Sequence, residues 1–151
     1  MNDHINFKSG YAEVNGLSMY YEIYGAGNPL VLIHGGGSTI QTSFGNIIPG
    51  LAKKRQIIGV ELQAHGHTND RDTKLTFEQD AEDIATLLAK LKIPKADFLG
   101  FSNGGHTLIE IGLRHPHVVN KIILASTFYK RSAAAPQFWD GFENATLDQM
   151  P

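Results

Sequence analysis

One pentapeptide constrains this chain more than any other stretch: Gly100-Phe101-Ser102-Asn103-Gly104, set between an apolar run at 96–99 and a helix-like segment at 103–114. A serine on a sharp strand-to-helix turn is held in a strained backbone, with its hydroxyl pushed clear of the sheet. Glycines on either side make the turn possible, because a Cβ there would collide with the neighbouring strand or helix. The same turn puts the next residue's N–H in the first turn of a helix, where donors are unpaired and negative charge is favoured. With 16 glycines in 151 residues the pattern alone is easily met by coincidence, so its setting must decide.

That setting is an alternation. Residues 11–14, Asn15-Gly16 and residues 17–24 form a hairpin pattern, since both positions of a type I′ turn need positive φ. Leu30-Val31-Leu32-Ile33 is continuously apolar, as in a parallel strand covered on both faces. It runs into His34-Gly35-Gly36-Gly37, a loop whose glycines allow a bare N–H to face a site. Residues 42–51 suit a short helix, weakened by Gly45 and ending near Pro49-Gly50. Residues 56–62 form another buried strand, followed by Gln63-Ala64-His65-Gly66-His67-Thr68-Asn69-Asp70.

Thr76 and Gln79 have capping-box spacing, and Phe77, Ala81, Ile84, Leu88 and Leu91 make one apolar stripe that Pro94 should stop. Asp80, Glu82 and Asp83 on that helix suit a solvated face and its acidic first turns. After the serine helix, His115-Pro116 leads to a last apolar strand bounded by Val118 and Ala125. Residues 127–151 then change character, with Trp139 among Phe128, Tyr129, Phe138 and Phe142 but no strand pattern.

Hairpin, then strand and helix in turn, implies an α/β fold: a mostly parallel sheet with helices on both faces. The glycine loop, the two-histidine loop and the serine turn all follow strands, and ligands sit at that carboxyl edge of such sheets. A net charge of -2 gives no electrostatic case for nucleic acid or an anionic membrane. The absence of cysteine removes disulfides and thiolate chemistry. No stretch approaches the ~18 apolar residues that span a bilayer, and the first residues lack a leader pattern. A cytoplasmic protein is the default expectation, with secreted or periplasmic locations also open.

Taken together, His34-Gly35-Gly36-Gly37, the loop around His65-Gly66-His67 and Gly100-Phe101-Ser102-Asn103-Gly104-Gly105 resemble the α/β-hydrolase fold family. The pattern is similar to its esterases, lactonases, proline iminopeptidases and carbon–carbon hydrolases with an inserted cap. The resemblance implies Ser102 as nucleophile and the N–H groups of Gly36 and Asn103 as an oxyanion hole. His34 would brace the glycine loop, and Gly35, Gly37, Phe101, His65 and His67 would line the site. The substrate would be a small ester, lactone or amide, with no cofactor and no metal. A metal reading of His65, His67 and Asp70 lacks a further ligand and leaves the serine turn unexplained.

The family's order is serine, acid, histidine, the last two on loops after further strands. The resemblance therefore makes residues 1–126 the first part of a hydrolase core and 127–151 the start of a cap. The chain looks truncated after the strand that follows the serine helix, without the strands that carry acid and base. No histidine here replaces that base well. His106 should point along its helix, and His115 and His117 lie roughly 20 Å off at 1.5 Å per residue. Two alternatives stand beside the enzyme: a non-catalytic ligand-binding protein of this fold, or a half-domain completed by a partner. Left at the edge, the strand from 118 to 125 would favour a homodimer.

Overall fold

The computed structural model describes residues 6–144, with the side chains of 141–143 set aside. The leader reading at 1–5, the Phe142 side chain and the end of the expected cap at 145–151 lie outside what is described. Six strands form one sheet in the order β1-β2-β4-β3-β5-β6. They are β1 (Phe7–Val14), β2 (Leu17–Tyr24), β3 (Pro29–Ile33), β4 (Gln56–Val60), β5 (Ala96–Phe101) and β6 (Val119–Ala125). β3, β4, β5 and β6 run parallel, and the β1–β2 hairpin joins antiparallel through β2 and β4. Asn15 and Gly16 sit at φ 48° and 80°, the positive values a two-residue I′ turn demands.

Helices cover both faces. On one side α3 (Phe77–Lys90) and α4 (Asn103–Arg114) pack Ile84, Leu87, Leu88, Leu108 and Ile111 against Val31, Ile33, Ile58, Val60 and Phe98. On the other, α1 (Ile40–Phe44) and α2 (Ile48–Ala52) bring Ile40, Phe44 and Ile48 to Leu30, Leu32 and Ile57. The continuous apolar runs of β3 and β4 are thus explained by burial from above and below.

Three local expectations need correction. The segment 42–51 is two short helices, and Pro49 occupies the first turn of α2 instead of ending a helix, a place where its missing N–H costs nothing. The stop of α3 comes at Lys92, with φ 57°, ahead of Pro94. The Thr76 hydroxyl does accept from the Gln79 N–H at 3.1 Å, but the Gln79 side chain turns to Asp83 at 3.0 Å.

The acidic face of α3 is also not solvated as expected. Asp83 is fully buried and receives Arg71 Nη2 at 2.5 Å, Asn15 Nδ2 at 2.9 Å and Gln79 Nε2 at 3.0 Å. This cluster ties the hairpin turn to the helix. Asp80 is buried too, and only Glu82 keeps substantial exposure. Asp80 falls at helical spacing from the apolar stripe, three residues after Phe77 and four before Ile84, and Asp83 lies four residues before the buried Leu87.

β6 is an edge strand. Ile122, Ile123 and Leu124 are 41%, 50% and 45% exposed, on both faces of the sheet. Beyond it, a short helix α5 (Pro136–Glu143) forms in the segment that showed no strand pattern. Phe128, Phe138 and Trp139 cluster there at ring distances of 5.1–5.8 Å. No helix among the described residues is long and apolar enough to cross a membrane.

Candidate active site

The three loops singled out from sequence meet at the carboxyl ends of β3, β4 and β5. Ser102 stands between β5 and α4 at φ 52°, ψ −116°, a conformation that L-residues other than glycine adopt only under constraint. Its N–H donates to Ala125 O at 2.9 Å and its carbonyl accepts from Gly105 N–H at 2.9 Å. The turn is therefore anchored on β6 on one side and on the first turn of α4 on the other. Glycine at 104 is required here because a Cβ would run into the main-chain carbonyls of Ile33 and His34. That close approach sets α4 directly against the end of β3.

The glycine loop lies alongside. A Cβ at Gly36 would meet the Asn103 side-chain amide, and one at Gly35 would come within 3.1 Å of the Phe101 ring and 3.5 Å of Ser102 Cβ. Two histidines hold the loop. His34 is fully buried; its Nδ1–H donates to Gly35 O at 2.7 Å and its Nε2 accepts from Leu62 N–H at 3.1 Å. Burial drops its pKa to about 4, so the ring is neutral and its tautomer is set by these bonds. His65 donates from Nδ1 to Gln63 O at 2.8 Å and accepts from Gly37 N–H at 3.1 Å on Nε2. Gly35 N–H reaches Ser43 Oγ at 3.4 Å.

Of the three glycine N–H groups, those of Gly35 and Gly37 are thus engaged. Among the described residues, the N–H of Gly36 and that of Asn103 have no acceptor; Gly36 lies against the Asn103 side chain, and Asn103 directly follows Ser102. The Ser102 hydroxyl likewise has no hydrogen-bond partner among the described residues.

The other expected site residues divide. His65 lines a cavity of about 410 Å³ next to Gly36 and Asn103. His67 is not among the residues that line it: its Nδ1 lies 3.0 Å from the buried Glu61 carboxylate and its ring packs 4.3 Å from Tyr20. His65 and His67 thus hold different partners, and Asp70 accepts from Gln63 Nε2 at 2.7 Å. His106 stacks on Phe77 at 5.1 Å, one turn along α4, and His115 lies beside Glu82 at the far end of that helix. Phe101 is 40% exposed and covers Gly35.

Asp80, not expected from sequence, also lines the cavity. It is 9% exposed and accepts from Thr107 Oγ1 at 3.4 Å. Burial, with Asp83 adding to it, raises its pKa to about 6. Its position on the apolar stripe of α3 was the available signal.

A strained serine at a strand-to-helix turn, faced by a glycine loop on a mostly parallel sheet, is the frame of a hydrolase fold; the chain belongs to the alpha/beta hydrolase fold family, matching it over residues 28–150. It is similar to pyrrolizixenacetamide deacetylase of Xenorhabdus hominickii, 30% identical over 80% of this chain and 44% of that one. It is 33% identical to the human serine hydrolase BPHL over 77% of this chain and 42% of the relative. Among solved structures, the enol-lactonase of Burkholderia xenovorans superposes with a TM-score of 0.74 at 29% identity, covering 78% of this chain and 46% of that one. The chain spans somewhat under half the length of these relatives.

Proposed function

We propose that this chain is the nucleophile-bearing portion of a serine hydrolase that works by acyl transfer on a small ester, lactone or amide. Residues 1–126 form the first part of its core and 127–151 begin its cap. Ser102 Oγ attacks the carbonyl carbon and passes its proton to a base. The resulting oxyanion takes hydrogen bonds from Gly36 N–H and Asn103 N–H. The intermediate collapses, the protonated leaving group departs, and water then releases the acyl group by the same route in reverse order.

The observation that carries this reading is the pairing of a strained Ser102 with two adjacent N–H groups that have no acceptor among the described residues. The names of the relatives, a deacetylase, a serine hydrolase and a lactonase, support carbonyl chemistry of this kind. His34 and His65 each spend one ring nitrogen on the glycine loop, at Gly35 O and Gly37 N–H, and the other on the segment after β4, at Leu62 N–H and Gln63 O. They position the N–H donors and leave the base to a histidine later in the family's chain order.

Intact mass before and after a fluorophosphonate probe tests the proposal. One adduct, mapped to Ser102 and lost in Ser102→Ala, is the expected result in a chain that also carries the family's later histidine, with little or none in residues 1–151 alone; labelling that survives Ser102→Ala would overturn the proposal. No adduct at all would favour a second reading, a non-catalytic half-domain completed by a partner, which the uncovered β6 edge favours.

A further inference from the structure

We infer that the cavity lined by Gly36 and Asn103 selects substrates that carry a primary ammonium group on an apolar body, with Asp80 as the residue that recognises the ammonium. The inference rests on the serine-hydrolase reading above and names the substrate class of the same site. The cavity's volume of about 410 Å³ suits a small molecule. Leu62, Leu75 and Phe77 give it apolar walls, and Leu75 and Phe77 remain 59% and 39% exposed. Its two acidic lining residues are Glu78 and Asp80, and no lysine or arginine is among the described residues that line it.

Asp80 is a buried carboxylate whose charge the protein leaves poorly compensated. Its hydrogen bond from Thr107 Oγ1 is long, at 3.4 Å. Arg71, the nearby cation, is committed to Asp83 through both Nη atoms, at 3.2 and 2.5 Å. His65 faces the same cavity with both nitrogens occupied by Gln63 O and Gly37 N–H. From α4, His106 stacks against Phe77 with its Nδ1 buried and without a partner. Buried carboxylates are ordinarily matched by a cation or several donors. An ammonium in the cavity would supply three donors and the opposite charge, while its hydrocarbon body covers Phe77 and Leu75.

The test compares 2-phenylethylammonium with its neutral isostere 2-phenylethanol on the purified chain at pH 7.5. Gly36 and Asn103 amide shifts would be followed by NMR in wild type and Asp80→Asn. The wild type should bind the ammonium about tenfold more tightly than the alcohol, and Asp80→Asn should bind the two alike. Equal affinities in the wild type, or a preference that persists in Asp80→Asn, would overturn the inference. The wild-type comparison decides even if the variant folds poorly. Fluorophosphonate labelling of a chain that also carries the later histidine separates the two ideas: an adduct without ammonium preference sinks only the selectivity, and preference without an adduct sinks only the nucleophile.

Discussion

Two buried groups on either side of the site titrate in opposing senses. His34, neutral in the fold with its pKa lowered to about 4, takes up a proton more readily when unfolded. It therefore costs stability as pH falls from about 6.5 through about 4. Asp80, raised to about 6 by burial, is protonated more readily when folded, so it returns stability as pH falls from about 6 toward about 4. Each is worth about 3 kcal/mol at 1.36 kcal/mol per pK unit, and they offset one another. Asp80→Asn should consequently be more stable than wild type at pH 7.5 and lose stability more steeply on acidification. Urea midpoints at pH 7.5 and 4.5 would check both the sign and the slope. At this scale the sequence was informative where backbone geometry needs particular residues, as at Ser102 and Gly36. Asp80 was read as solvated because an acid in the first turns of a helix is ordinarily explained by the dipole, and which face such a turn buries depends on tertiary packing.

Between elements, the polar joint of Arg71, Asp83, Gln79 and Asn15 does work that no apolar pattern announces. It fastens the β1–β2 turn to α3 through a carboxylate with no solvent access. Removing the guanidinium in Arg71→Met would leave that charge buried and short of its cation. Such losses cost about 3–5 kcal/mol, measurable as a fall in the thermal midpoint, whereas Arg114→Met at the exposed pairs with Glu82 and Glu110 should leave the midpoint nearly where it is. The strands and the two long helices were legible because their apolar residues repeat at the right period over enough length. The short helices α1 and α2 were blurred into one, since five residues hold too few repeats to reveal a break. Pro49 reads equally as a stop or a start until the neighbouring turn is known.

On the scale of the whole molecule, strand order could not be read from the alternation alone, yet it decides how the site is framed. The consequence on the outside is β6, where Ile122, Ile123 and Leu124 lie half exposed on an unpaired edge. Such an edge templates further pairing. Sedimentation velocity should show the chain associating as its concentration rises, and Ile123→Lys should shift it toward the monomer. A wild-type chain that stays monomeric at all concentrations would rule this out.

The consequence on the inside is the opposite. β3 has two strands on one side beyond β4 and two on the other through β5 and β6, so thermal fraying that starts at either margin must cross the sheet before it reaches Ile33. The glycine loop follows β3 and hangs from the part of the lattice that breathes least, whereas the serine turn, bonded to Ala125 of β6, lies one strand from the margin. Fraying that starts at β6 therefore reaches the turn that carries Ser102 and Asn103 before it reaches Gly36.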